Sequence, residues 1–505
     1  MASRTIADEG EFGLISQVTA GLTMPDAVTV GPGDDCAVFA PRDMTQGAPW
    51  KRILEFAVPM LIGNFVQQIY NATDAAVVGH YVGDRALSAV GSAGPFLNFL
   101  LALFVGIATG AGILVSQRFG AKDREGLSNT IGNCLTLTAV ASVVTMAAGL
   151  LFAHPVLRLL NTPPEIIDWA ADYLHILFAG IAGFLYYNVF AGILRGLGDS
   201  LSALAFLIFS ALLNIALDIW FVAGFGWGVK GVAAATILAQ SISAVLCWLK
   251  LRSMREVFDL NRHTLKPKPG VPSAILRLGL PTGITQAVFS IAMLFVQRLQ
   301  NSFGPEFIAI NVILMRVDGF AMMPNFSFGQ ALTTFIGQNV GARRYDRLHS
   351  GARQGTLLAV GVSVALTAGI LLFGRQLMNL FTDTQALIDQ GMRFMRILAL
   401  GYVSMAVIQS LSGVQRGAGD TVTPMWISIF TSVVLRVTTA YLIAWLTRSP
   451  EWPNGRPESV YWSMLITWSS GALINILAYR WGRWRRKLPR EMLDAIEKER
   501  EMARG

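Results

Sequence analysis

Asn64-Phe-Val-Gln-Gln-Ile-Tyr-Asn-Ala-Thr-Asp74 lies inside an apolar run from about Ile53 to Val78, long enough to cross a bilayer as a helix. On a helix, Asn64, Gln67, Asn71 and Asp74 are spaced by three, four and three residues and share one face. The stripe ends in a carboxylate. An ionisable residue within a membrane span is costly, so it faces a cavity and serves a function. The structural alternative is a polar seam that joins neighbouring helices.

The rest of the chain agrees with a membrane setting. Of its 505 residues 53% are hydrophobic and 14% are charged, and the mean hydropathy is +0.50. Soluble domains carry about 25% charged residues. The net charge of +8 is not a nucleic-acid patch, because the basic residues sit in short segments between apolar runs. Cys36, Cys134 and Cys247 lie far apart, and the five histidines are scattered. Neither set has disulfide or metal-site spacing, so no cofactor is expected. No signal peptide is visible, and the first span is expected to target the chain.

Twelve apolar spans follow from Trp50 onward, at about 52–78, 88–116, 127–152, 165–194, 201–223, 231–251, 274–299, 308–337, 349–373, 386–415, 423–446 and 459–481. This reads as an all-α polytopic membrane protein. Its expected parts are a non-membrane segment 1–49, a six-helix lobe 50–253, a linker 254–272, a second lobe 273–484 and a charged tail 485–505. With twelve spans, Arg118, Lys122 and Arg124 fall on the same side as Arg343, Arg344 and Arg347, the basic linker and the tail from Arg480 to Arg490. That side is expected to be the cytoplasm, with both termini inside.

The two halves repeat. Ser116-Gln-Arg-Phe-Gly-Ala-Lys matches Gly337-Gln-Asn-Val-Gly-Ala-Arg, and Arg195-Gly-Leu-Gly-Asp-Ser200 matches Arg416-Gly-Ala-Gly-Asp-Thr421, each pair 221 positions apart. Six spans per repeat bring both repeats into the membrane from the same side. They are therefore parallel repeats, and transporters of this kind hold substrate between the halves.

The acidic stripe breaks the repeat. At an offset of 222, Asn64, Gln67, Asn71 and Asp74 become Gln286, Phe289, Met293 and Val296. In the fifth span Ser210, Asn214 and Asp218 are spaced by four, and their counterparts are Thr431, Leu435 and Thr439. Both carboxylates are thus confined to the first half. With Thr236 of the sixth span they make an oxygen-rich set of the kind hard cations require. For Asp218 the alternative is a position near the outer interface, solvated and idle.

Together these residues resemble the multidrug and toxic compound extrusion (MATE) family, over about residues 50–485. The likeness rests on the twelve spans in two repeats, Tyr70-Asn-Ala-Thr-Asp74, the two Gln-x-x-Gly-Ala turns, the two Arg-Gly-x-Gly-Asp turns and Leu213-Asn-Ile-Ala-Leu-Asp218. It implies export of cationic or amphipathic organic compounds in exchange for protons or sodium ions by alternating access, from the cell membrane and as a monomer. It also implies a cation site at Asp74, Asn214, Asp218 and Thr236. Around Ile284–Met293 and Met405–Gly413 there is no Asp or Glu, so the acidic second-lobe site of NorM-type relatives is not expected. In this the chain more closely resembles the DinF-like branch. A lipid-linked precursor flippase of the same superfamily is the alternative; it would need a cationic cavity, and the first-half spans hold few basic residues. An enzymatic role is not expected.

A coupling ion entering at Asp74 is expected to bend or shift the first helix near Pro59 or Gly63 and so expel substrate. The substrate wall is expected from Met293, Met315, Phe320, Met322, Met323, Phe326 and Phe328, since Met and aromatic faces suit varied amphipathic cations. Lipid-facing or packing roles are the alternative for each. Finally, Gly10-Glu-Phe-Gly-Leu-Ile15 and Gly31-Pro-Gly-Asp-Asp-Cys-Ala-Val38 resemble the N-terminus of thiamine-monophosphate kinase. That resemblance would make Asp34 and Asp35 remnants of a magnesium-nucleotide site without its catalytic body.

Overall fold

The computed structural model describes residues 28–29, 38–39, 41–160, 162–379 and 381–488. The kinase-like stretch with Asp34 and Asp35, and the charged tail beyond Leu488, lie outside the described residues. Val28–Thr29 and Val38–Phe39 form a two-residue antiparallel ladder; all other regular structure among the described residues is helical.

The N-terminal repeat comprises α1 (Pro49–Tyr81), α2 (Asp84–Gly120), α3 (Arg124–Leu159), α4 (Pro164–Ala179), α5 (Ile181–Gly196), α6 (Ser200–Asp218) and α7 (Gly228–Ser253). The C-terminal repeat comprises α8 (Val271–Asn301), α9 (Pro305–Gly341), α10 (Tyr345–Asn379), α11 (Gln385–Gly417), α12 (Val422–Ile429), α13 (Arg436–Leu446) and α14 (Ser459–Trp481). The α4–α5 pair is one span bent by 55° at Gly180. The α12–α13 pair is one span joined through a π-helical turn, Phe430–Leu435. Twelve spans result.

Among the described residues, ten helices are long and apolar enough to cross a membrane, and the bent pair makes an eleventh. The twelfth is α1, whose 33 residues suffice in length but whose amides and Asp74 lower its hydropathy. The deficit is the polar stripe itself.

The repeat is visible in the backbone. Gly83 and Gly304, Lys122 and Arg343, and Gly198 and Gly419 all have positive φ, and each pair is 221 positions apart. Asp199 and Asp420 of the Arg-Gly-x-Gly-Asp turns each accept a hydrogen bond from a backbone N–H three residues on, Ser202 at 2.9 Å and Thr423 at 3.1 Å. They cap the helices that follow, which makes these turns structural. The Gln-x-x-Gly-Ala turns join the halves. Gln117 donates to the Gly417 carbonyl at 2.9 Å, and its counterpart Gln338 donates to the Gly196 carbonyl at 3.2 Å. The backbones cross so closely that a Cβ on Gly120 would collide with the Gln338 carbonyl, and one on Gly341 with the Gln117 carbonyl. Glycines also let α2 and α8 touch, at Gly106, Gly110, Gly279 and Gly283.

Two segments outside the spans pack on the helices. Residues 41–48 pack beneath the halves. Met44 is 1% exposed, its N–H donates to Gln338 at 2.8 Å, and its carbonyl accepts from Asn339 and Arg347. Residues 41–48, expected as part of the non-membrane segment 1–49, are thus held against the C-terminal repeat. The linker is strapped to α3. Arg124 grips Asp259 with two 3.0 Å bonds, Ser128 accepts from the Asp259 N–H, and Asn133 and Thr136 bond the backbone of residues 264–268.

Candidate cation site

The α1 stripe divides between two neighbours. Its first member turns to the C-terminal repeat, where Asn64 donates to Ser327 of α9 at 2.9 Å. From the next residue, the Phe65 ring meets that of Phe320 at 5.9 Å. Gln67 donates to Asn71 at 3.3 Å, and Asn71 is exposed. Only Asp74 turns inward to α6 and α7. Sequence spacing places the four on one face, but neighbouring helices decide what each end serves.

Asp74 meets Asp218, and their carboxyl groups lie within hydrogen-bonding reach of each other. Asp218 is 0% exposed, so the idle, solvated alternative is wrong. Asn214, one turn earlier on α6, is 1% exposed. With its amide oriented to satisfy both ends, Asn214 donates to Asp218 at 2.8 Å and accepts from the Thr236 N–H at 3.2 Å. Thr236 also meets the Tyr70 hydroxyl. The four residues expected as a set therefore converge from three helices. α6 ends at Asp218 and runs on as a π-helical turn, Ile219–Gly224. Such turns recur at functional sites because they re-aim side chains.

One oxygen of each carboxyl, Asp74 Oδ1 and Asp218 Oδ1, is buried without a hydrogen-bond partner. The groups that interact electrostatically with the pair are the Tyr70 and Tyr173 hydroxyls; no Lys, Arg or His appears among its partners in the described structure. Two carboxyls withdrawn from water without a basic partner need a proton or a metal cation to balance them. Two carboxylates with amide, threonine and tyrosine oxygens suit a proton or a hard ion such as sodium. Among the described residues no cluster of three or more His, Cys, Asp or Glu side chains forms a metal centre.

Tyr70 and Tyr173 escaped the sequence reading. Tyr70 lies one helical turn before Asp74, so its signal was present. Tyr173 comes from α4, and nothing local marks it. A larger omission lies in the C-terminal repeat. Arg436, 4% exposed, opens α13 just after the π-turn and acts electrostatically on Asp318 of α9. The Tyr402 hydroxyl faces the same carboxylate. Among the described residues no direct ion pair joins them, and Asp318 Oδ1, Arg436 Nε and Tyr402 Oη are buried without partners. Beside them Tyr461 donates to Asn311 at 2.9 Å.

The expected substrate wall is divided. Met315 and Phe320 are exposed at 56% and 49%, and Met293 is half-buried. Met322, Met323 and Phe328 are buried, Met322 in the core of the C-terminal half and Phe328 in the core that α1 shares with that half. They offer no open face; their side chains fill space between helices.

Comparison with known proteins agrees with this architecture. The family model MatE matches residues 59–220 and again 281–442. The probable multidrug resistance protein YoeA of Bacillus subtilis (strain 168) is 30% identical over 406 residues, covering 79% of this chain and 88% of YoeA. A MOP-superfamily transporter from Pyrococcus furiosus, described as having a binding pocket of reverse polarity that suggests a different function, superposes with a TM-score of 0.80 at 28% identity, over 88% of this chain and 97% of that one. A MATE crystal structure in a bent conformation gives the same score and identity, over 88% and 96%.

Proposed function

Because the chain belongs to the MATE family of membrane transporters, we propose that it is a multidrug efflux antiporter driven by protons or sodium ions through Asp74 and Asp218. The observation that carries this reading is the carboxyl pair itself, buried in one repeat without a basic neighbour. Inward movement of the ion and outward movement of an organic cation would use the pair alternately. With the ion bound, the pair is neutralised and α1 can settle against α6. With the ion lost, charge repulsion between the carboxylates favours another arrangement of α1. Pro59 removes one backbone bond inside α1, and Gly63 packs against Leu204 and Leu207 of α6. A shift of α1 can be absorbed there. A related transporter is known in a bent conformation, in keeping with such a cycle.

The energetics are adequate. One charge crossing 100 mV gains roughly 2.3 kcal/mol, equivalent to a concentration ratio of about fifty. In this reading the motif-bearing end faces the cytoplasm, and the Gln117 and Gln338 bonds must break each time the halves part there. Family membership and the exposed Met315 and Phe320, the latter meeting Phe65 of α1, support amphipathic organic cations as the exported class. No enzymatic activity is expected.

The test is ethidium efflux from everted vesicles, with a proton gradient or a sodium gradient imposed separately. Efflux driven by one gradient and lost in Asp74→Asn names the ion. Absence of gradient-driven efflux in the unmodified protein would overturn the reading in favour of lipid-linked precursor flipping.

A further inference from the structure

A cleft of about 600 Å³ opens between α10, α11 and α14 at the motif-bearing end of the C-terminal repeat, away from the carboxyl pair. Its lining changes character with depth. At the mouth stand Arg353 of α10 and Arg480 of α14, both exposed. His349 lies beside them, with both ring nitrogens engaged by Tyr479 at 3.4 Å and Arg485 at 3.3 Å. The floor is apolar: Leu357, Val407, Leu411 and Ile476. Among the described residues no Asp or Glu lines the cleft. The nearest acidic residue in sequence, Asp346, is already paired with Arg344 at 3.0 Å. Among the described residues neither Arg353 nor Arg480 forms an ion pair. Thr356 Oγ1, on the cleft wall, is buried without a hydrogen-bond partner.

We propose that this cleft binds an anionic phospholipid of the leaflet at the motif-bearing end, its phosphate between Arg353 and Arg480 and one acyl chain along the apolar floor. Three features fix the chemistry. Among the described residues the mouth holds cationic donors without an acidic partner, which suit an anion, and guanidinium pairs phosphate in a forked geometry. The floor lies beyond the charges along the helix axes. Leu357 follows His349 and Arg353 by eight and four residues, which is about 6–12 Å of helix towards the bilayer centre. Ile476 precedes Arg480 by four, about 6 Å in the same direction. A soluble phosphate has no use for that depth, whereas a lipid matches it with headgroup above and chain below. Finally, Leu357 is 60% exposed, so the cleft opens sideways where lipid can enter. Basic pockets between helices near the cytoplasmic surface hold acidic headgroups for these reasons.

The lipid would bridge α10 and α14, which approach each other here mainly through His349. It would also steady the turn beyond α14, where Trp484 stacks on Tyr479 at 5.4 Å between ring centroids. The site thus acts as a clamp on the C-terminal repeat. It does not depend on the identity of the coupling ion.

The experiment uses the full chain in neutral detergent, melted with added phosphatidylglycerol, phosphatidylcholine or inorganic phosphate. Phosphatidylglycerol is expected to raise the melting temperature by about 2 °C or more, with little effect from the other two. The Arg353→Ala/Arg480→Ala double variant should lose that response. A second variant, Val407→Trp, keeps both charges but fills the floor, and it should lose the response as well. Native mass spectrometry should show one retained phosphatidylglycerol in the unmodified protein and none in either variant. Equal stabilisation by phosphatidylcholine would overturn the charge assignment. Equal stabilisation by inorganic phosphate would reduce the site to a soluble-anion site. Full response in both variants would place lipid elsewhere.

Discussion

The two repeats each carry a buried acidic cluster in the half of the membrane away from the Gln-x-x-Gly-Ala turns, and the clusters are built differently. In the N-terminal repeat Asp74 faces a second carboxyl, Asp218. In the C-terminal repeat Asp318 faces a guanidinium, Arg436. The first cluster can be neutral only with a cation or proton from outside. The second carries its own counter-charge on a side chain that cannot leave. A covalently tethered cation makes an exchangeable one unnecessary. On the proposed reading the duplicated fold divides its tasks: one half would exchange ions, and the other carries its own counter-charge.

The sharpest way to break this comparison is to remove each carboxylate. Asp74→Asn and Asp218→Asn are each expected to lower gradient-driven ethidium efflux at least tenfold, roughly the loss of one strong charged interaction. The double variant should be no worse than either alone. Asp318→Asn is expected to keep gradient coupling but to melt earlier, because it leaves Arg436 buried without its counter-charge. The cost should be about 2–3 kcal/mol, less than for a contacting pair. Asp318→Asn/Arg436→Met should recover part of that loss in thermal melts. If Asp318→Asn instead abolishes coupling while melting normally, both halves exchange ions and the division of tasks is wrong.

Smaller effects test the latch between the halves. Gln338 makes two bonds, to Gly196 and from Met44, whereas Gln117 makes one of the pair to Gly417. At about 1 kcal/mol per bond, Gln338→Ala should destabilise about twice as much as Gln117→Ala. Deleting residues 1–48 should lower the melting temperature more than Gln117→Ala does, because it uncovers the bonds that Met44 satisfies. Equal melting of both Gln variants would mean that Met44 adds nothing to the latch. The smallest change is expected for Tyr70→Phe, which removes one hydroxyl beside the pair. A loss of efflux of about threefold, with melting unchanged, would mark it as a positioning group.

Much of this was legible in the residues. Long apolar runs fix the spans, and the 221-residue spacing of two turn motifs fixes the repeat. The i, i+4 spacing of Asn214 and Asp218 marks a face of α6 directly. What escaped depended on distance or on local backbone departures. Nothing near Tyr173 reveals that α4 delivers it to Asp74. The 55° bend at Gly180 and the π-turns after Asp218 and before Arg436 have no strong local signature. Asp318 and Arg436 are separated by two helices' worth of chain, so their meeting is a property of packing. Asp318 and Arg436 were each legible singly, since a charged residue inside an apolar span calls for a buried partner. Met44 escaped because its neighbours in sequence are polar.

The strap between the halves bears on how the protein is made. Residues 254–268 are held by side chains of α3, through Arg124, Ser128, Asn133 and Thr136, and all of these partners precede the C-terminal repeat in the chain. The first six spans can therefore close their own end as soon as the linker leaves the ribosome. At 5–20 residues per second the second half takes roughly another 10–50 s to synthesise, ample time for the first to pack. The later repeat is then threaded into the bilayer beside a finished template, with glycines of α2 already presented for α8 to meet.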